Sequence, residues 1–287
     1  MRKIVHFDLF LPPFSFKVSS DIEIVKDNIK LIYPASCFKS GIPADYTCRI
    51  SQGAGVRRII KPQARFFMDQ QEPFKPLQRQ QAFAMFEWGL NWCIASHEMQ
   101  YVIIHAAVLA KDNKAILFPA PPGSGKSTLT AYLAFNGWRL LSDEMAFIVP
   151  STSTVVPFVR PICLKNRSIE LAKSWFPNAI FSSIAKDTHK GNVMHLSPPS
   201  ASWLTASEPA EIVGVVFPRF CADIQLDIYK LNKAQGFMQL ATNAFNYGVI
   251  GTEGFNTLTA LIEKVPSFEI LYNDLHEVSA FLNNCAK

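Results

Sequence analysis

The run Ala120-Pro121-Pro122-Gly123-Ser124-Gly125-Lys126-Ser127-Thr128 lies between the apolar residues 115–119 and the helix-forming residues 129–135. An apolar run, two glycines at alternate positions and then a helical stretch predict a strand that turns sharply into a helix N-terminus. Glycine adopts positive φ at little cost, so Gly123 and Gly125 let successive backbone N–H groups converge on one point. The helix that follows directs the positive end of its dipole at the same point. The spelling Gly-Ser-Gly-Lys-Ser-Thr is that of a phosphate-binding loop (P-loop, Walker A). Read so, Pro122, Gly123, Ser124, Gly125, Lys126, Ser127 and Thr128 hold a nucleotide, Lys126 reaches its β/γ-phosphates, and the Ser127 hydroxyl ligates Mg²⁺. The usual first glycine of the loop is Ala120, and Pro121 and Pro122 bring no N–H to its front.

The 287 residues allow one large domain or two moderate ones, and a chain 49% apolar and 18% charged folds around a real core. The net charge of +5 is mild and scattered. It suits an anionic ligand and does not demand nucleic acid. The densest basic stretch, Arg57, Arg58, Lys61 and Arg65, lacks interleaved aromatics and reads as a solvated strand face. The six cysteines fall at wide, irregular intervals without Cys-x-x-Cys, as reduced thiols do. His6, Asp8 and Pro12-Pro13 spoil a secretory core at the N-terminus, and no run approaches a membrane span. The expectation is a cytoplasmic protein without a membrane or nucleic-acid partner.

In order, residues 4–10 and 14–18 read as strands around the Pro-Pro turn. Ser20 and Glu23 have capping-box spacing ahead of a helix ending near Tyr33. Residues 46–51, 56–60 and 64–69 read as short strands, and residues 77–96 as a longer apolar helix. Residues 101–110 read as one strand interrupted only by His105, turned back by Asp112-Asn113 into the strand that feeds the loop. Residues 138–149 read as another strand containing Asp143-Glu144. Two acids in an apolar strand are costly to bury unless paired or metal-bound, and adjacent strand residues point to opposite faces. Residues 168–175 predict a short helix. Residues 177–209 lack periodicity and read as a functional loop or lid. The remainder predicts strands 211–217 and 224–231, helices 234–245 and 255–263, strand 267–272, and a last helix opened by Asp274. The fold class is α/β, with an N-terminal α+β region over residues 1–98 and a nucleotide-binding core over residues 99–287.

Three motifs in order resemble the HPr kinase/phosphorylase superfamily, most closely the group called HprK-related kinase A. They are His105-Ala-Ala-Val-Leu ahead of the loop, Gly-Ser-Gly-Lys-Ser-Thr in it, and Gly137-Trp-Arg-Leu-Leu-Ser-Asp-Glu144 after it. The resemblance implies an HPr kinase-like P-loop core, ATP and Mg²⁺ at Lys126 and Ser127, His105 near the phosphates, and an acidic pair serving the acceptor hydroxyl. In HPr kinases that pair is Asp-Asp; here the second acid is Glu144, and either Asp143 or Glu144 is the base. The glutamate-bearing signature of HPr kinases is missing, which argues against HPr itself as substrate. Arg160, Lys165 and Arg219 are candidates for the catalytic arginine. A hexamer like that of HPr kinases is an analogy only.

The function expected is transfer of the γ-phosphoryl group of ATP to a hydroxyl, foremost a serine of a peptide or small protein. Ser127 and Asp143 would hold the metal, and His105 or Arg160 would supply a cation. Competing readings are a nucleotide-driven switch, a small-molecule kinase, and a binding module that keeps the loop for stability. Asn232-Lys233 resembles the start of a guanine-reading Asn-Lys-x-Asp but continues Ala-Gln.

Overall fold

The computed structural model describes residues 4–286; residues 1–3, the head of the N-terminal stretch read above, and residue 287 lie outside the described residues. The chain opens with β1 (Val5–Leu11), β2 (Phe14–Ser20), α1 (Glu23–Ile32), β3 (Tyr46–Gln52), β4 (Gln63–Met68), β5 (Leu77–Gln78) and α2 (Ala82–His97). It continues through β6 (Val102–Ile104), β7 (Ala106–Lys111), β8 (Lys114–Pro119), α3 (Lys126–Phe135), β9 (Arg139–Ser142), β10 (Ala146–Ile148) and β11 (Thr154–Val156). β12 (Ile162–Lys165), α4 (Arg167–Trp175), β13 (Ala185–Thr188) and β14 (Gly191–Leu196) follow. The last part holds α5 (Ser200–Leu204), β15 (Ala210–Phe220), β16 (Asp227–Lys230), α6 (Lys233–Thr242), α7 (Tyr247–Ile250), α8 (Thr252–Lys264), β17 (Ser267–Tyr272) and α9 (Leu275–Cys285). The protein is thus mixed α/β. Among the described residues, no helix is long and apolar enough to cross a membrane.

Contacts divide the chain into two units, Met1–His97 with Pro161–Ser197, and Glu98–Arg160 with Pro198–Lys287. The sequence reading broke the chain once, near residue 98; here residues 161–197 group with the first 97.

The first unit is built around α2. Its sequence, Ala-Phe-Ala-Met-Phe-Glu-Trp-Gly-Leu-Asn-Trp-Cys-Ile, is apolar on nearly every side, and a helix of that kind needs cover all round. It packs on β3 and β4 of a five-stranded sheet, ordered β1-β2-β3-β4-β5, and on β13 and β14 of a three-stranded sheet, ordered β12-β14-β13. Glu87, buried within α2, accepts a hydrogen bond from the Tyr33 hydroxyl at 2.8 Å, which meets the need of a desolvated carboxyl. Gly89 is the point of closest approach: a Cβ there would stand 2.2 Å from the Phe66 ring.

Several sequence expectations change here. The capping box at Ser20 does not form; Ile22 is the N-cap, and Ser20 Oγ accepts from the Ile22 N–H at 3.1 Å instead. Residues 56–60 are not a strand: the chain forms an exposed 3-10 turn over Gly55–Arg58, and Ile59 and Ile60 follow it in a turn and bend. Their apolar residues, Val56, Ile59 and Ile60, fall at i, i+3 and i+4, a helical spacing and not the alternation of a strand. Arg57, Arg58 and Lys61 therefore lie on no strand face, whereas Arg65 is on β4 and pairs with Glu72. Residues 77 and 78 pair with β4, so the long helix starts at Ala82. Residues 177–209 are not a loop but carry β13, β14 and α5. β13 is short and largely exposed, and β14 buries Val193, Met194, His195 and Leu196 in succession, so neither shows the alternation that marks a strand.

The second unit is a nine-stranded mixed sheet along the path β6-β10-β11-β15-β8-β7-β9, with β17 beside β15 and β16 beside β17. β15 runs parallel to both β8 and β17, while β7 is antiparallel to β8 and to β9. One face of the sheet, including Val108, Leu117, Val215 and Phe217, packs with Leu240 of α6 and Leu258, Leu261 and Ile262 of α8. Burial of each such side chain stabilises by about 1.5–3 kcal/mol.

Gly89 supplies a test of the first unit. At an open helix site Gly→Ala gains about 1 kcal/mol. Here Gly89→Ala is expected to cost about 1–3 kcal/mol by overpacking against Phe66, measured as a lower urea midpoint at constant slope.

Candidate functional site

The antiparallel order of β8, β7 and β9 brings three sequence-distant positions to one edge of the sheet. β8 ends there and runs into the glycine loop. β7, paired Ala106 to Pro119, starts there, immediately after His105. β9, paired Ser142 to Val108, ends there, immediately before Asp143. The single strands expected over 101–110 and 138–149 are each broken at these residues: His105 separates β6 from β7, and Asp143-Glu144 bends the chain between β9 and β10. Ser142 Oγ holds that bend by accepting from the Met145 N–H at 3.0 Å. The acids thus stand at a strand end, where a polar group can face a ligand, and not within a ladder.

Gly123 and Gly125 both have φ near +90°, the left-handed conformation that turns their N–H groups inward. Gly125 is the N-cap of α3, and the Leu129 N–H bonds its carbonyl at 3.0 Å. The loop is fixed to β15 by the Phe220 N–H, which bonds Ser124 O at 2.9 Å. Lys126 is 8% exposed, and its Nζ lies 3.3 Å from His105 Nε2. An ammonium donates only, so Nε2 is the accepting ring nitrogen. Ser127 Oγ donates to Asp143 Oδ2 at 3.3 Å, and Asp143 is 4% exposed. Thr128 is half-buried in the first turn of α3, Pro122 and Gly123 are exposed, and Glu144 is half-buried in the bend. Ser124 Oγ is buried with no hydrogen-bond partner among the described residues.

Arg160 is buried beside this edge. Phe158 bonds the Leu141 carbonyl of β9 at 2.8 Å, and the Arg160 guanidinium lies 5.3 Å from the centroid of the Phe158 ring. Lys165 belongs to β12 in the first unit. Arg219 is exposed near the end of β15 and borders a cavity of about 670 Å³. Loop residues Pro121 to Ser124 form one wall of that cavity, and Phe220, Gln239, Asn243 and Glu269 stand on the others. No motif marks these last four, which come from the end of β15, from α6 and just beyond it, and from β17; only their meeting in space identifies them. Asn243 is also tied to the site through its carbonyl, which accepts the His105 N–H at 2.7 Å. Tyr272, at the end of β17, lies against Gly125, and burial pushes its phenol well above the ordinary range.

Asn232 and Lys233 have structural work. Asn232 and Gln235 form a capping box at the start of α6, and Lys233 Nζ donates to the Glu263 carbonyl at the end of α8 at 2.8 Å.

The donor set at Ser127 and Asp143 is hard oxygen. It fits Mg²⁺, which takes one or two protein oxygens and completes its shell with phosphate oxygens and water. The positive-φ glycines, the helix N-terminus and the buried lysine fit a polyphosphate.

No family model and no curated protein matches the sequence. Among solved structures, the chain is similar to the Hpr(Ser) kinase/phosphatase from Coxiella burnetii. The identity is 13%, the match covers 63% of this chain and 94% of that one, and the TM-score is 0.31. At that level the likeness assigns neither fold nor chemistry to this chain.

The two loop glycines are expected to differ. A Cβ at Gly123 meets nothing within 4 Å, whereas one at Gly125 stands 3.0 Å from both Phe220 Cβ and Tyr272 Oη. Gly123→Ala should cost only the backbone term of about 1–2 kcal/mol. Gly125→Ala should cost at least about 1 kcal/mol more. Urea unfolding of the two variants side by side checks the order.

Proposed function

We propose that this protein is an ATP-dependent phosphotransferase with an HPr kinase-like P-loop core, acting on a hydroxyl of a peptide or small protein. The observation that carries the reading is the meeting of buried Lys126, His105, Ser127 and Asp143 at the head of a loop with two left-handed glycines. A lysine and an aspartate buried together at one strand end mark a candidate site for a charged ligand.

In this reading the N–H groups of residues 123–128 and Lys126 hold the phosphates, and Ser127 and Asp143 hold Mg²⁺. When bound, the ion neutralises charge on the β- and γ-phosphate oxygens. His105 accepts from Lys126 and orients its ammonium, which leaves Arg160 as the second cation. Asp143 is assigned to the metal with Ser127, so Glu144 takes the base role. The acceptor oxygen bonds to the γ-phosphorus as the bond from that phosphorus to the β,γ-bridging oxygen breaks. ADP departs, and the hydroxyl proton passes to the Glu144 carboxylate. A carboxylate suffices as base because phosphoryl transfer is loose and proton transfer comes late.

The test is incubation of the full chain with γ-labelled ATP and Mg²⁺, alone and with a cell extract. Label is expected to move onto a discrete acceptor. Lys126→Ala should cut that transfer by about 10²–10³-fold, the range for losing one electrostatic contact to a transition state. Glu144→Gln should lower turnover while leaving ATP binding intact. Release of phosphate without a labelled acceptor, or unchanged transfer in Lys126→Ala, would overturn the reading.

A further inference from the structure

The exposed turn of the first unit takes no part in the site just described. Val56, Ile59 and Ile60 are 68%, 82% and 61% exposed, and Arg57, Arg58 and Lys61 are interleaved with them in the order Val-Arg-Arg-Ile-Ile-Lys. Three aliphatic side chains held in water on one short turn mark an interaction surface. The turn borders a cavity of about 960 Å³ whose wall carries Arg57, Lys61 and Arg79, with Gln63, Gln78 and Gln80 between them. Among the described residues none of these three cations makes an ion pair. Two acids also line the cavity, Glu23 and Asp187, and Glu23 is engaged by Lys26 at 2.6 Å. The wall therefore presents an excess of unengaged positive charge.

Two strand edges face the same recess. That of β13 is closed, because Gln81 Nε2 donates to the Lys186 and Asp187 carbonyls at 2.8 and 3.1 Å. That of β5 is open, since β5 ends its sheet. The Arg79 N–H bonds Pro62 O on the β4 side at 2.8 Å. Backbone groups alternate in direction along an antiparallel ladder, so the Gln78 N–H and C=O point away from β4, along the free edge.

We propose that this recess binds an extended acidic peptide segment. The segment would add its backbone to β5 at Gln78, place carboxylates against Arg57, Lys61 and Arg79, and lay the alternate, apolar side chains against Val56, Ile59 and Ile60. An anionic bilayer suits a basic, apolar turn but is flat and leaves the concave wall with Arg79 unfilled. The proposal does not depend on the phosphotransferase reading.

The test uses the full chain and fluorescein-labelled octapeptides of alternating Glu and Val or alternating Lys and Val, read by anisotropy, with phosphatidylserine vesicles in a sedimentation arm. The Glu-Val peptide should bind at least tenfold more tightly than the Lys-Val peptide. It should weaken severalfold as ionic strength rises from about 0.05 to about 0.3 M. The double variant Arg57→Glu, Arg79→Glu should lose at least tenfold in affinity, and Ile59→Ala with Ile60→Ala about threefold, with unchanged melting temperatures. Equal binding of the two peptides would overturn the proposal, and so would insensitivity to salt or normal binding by the charge-reversed variant. Sedimentation with the vesicles in the absence of peptide binding would assign the turn to a membrane and overturn it too.

Discussion

The candidate site depends on the direction of β7. Because it runs antiparallel to β8 on one side and to β9 on the other, the start of β7 and the ends of both neighbours fall at the same edge. Had β7 been parallel to β8, His105 would stand at the far end of the sheet, more than five residues of strand away from Lys126. The hairpin turn at Asp112-Asn113, both with positive φ, fixes that direction with the shortest connection available. The buried polar groups then stabilise one another locally: Lys126 has His105 and Ser127 has Asp143. An isolated lysine at 8% exposure would be far more costly.

Much of this was legible because local chemistry speaks at short range. Glycines at alternate positions before Lys-Ser-Thr predict a strand-turn-helix, and the loop and α3 follow that reading. Asp274 capping the last helix and the strand at Ser267–Tyr272 were equally plain, since each rests on neighbours in sequence. What was not legible depends on distant partners. The breaks at His105 and at Asp143-Glu144 interrupt apolar runs, and an apolar run does not say where its ladder stops. Within 177–209, β14 pairs with β12, β13 pairs with β14, and both pack against α2, none of which leaves a local period. The turn at 55–58 was misread because β-branched residues favour strands on average, while their spacing favoured a turn.

The cavity beside the loop illustrates the same division. Arg219 carries a charge that suits phosphate, whereas Gln239, Asn243 and Glu269 carry no pattern of their own. They meet because α6 packs across the sheet that holds β15 and β17. The His105 backbone N–H bonds the Asn243 carbonyl, so the chain just after α6 is tied to the residue that carries the imidazole.

The chain passes from the first unit to the second, returns for residues 161–197, and leaves again. During synthesis the ribosome therefore releases β1 to β5 and α2 long before β13 and β14 exist. One side of α2, where Ala84 meets Cys163, Ala185 and Val193, waits without its cover while the glycine loop and α3 emerge. The nascent protein thus holds its glycine loop and α3 in hand before the other half's core can close, and an apolar helix stands exposed for the interval. Chaperone demand should peak there, between the emergence of residue 97 and that of residue 196.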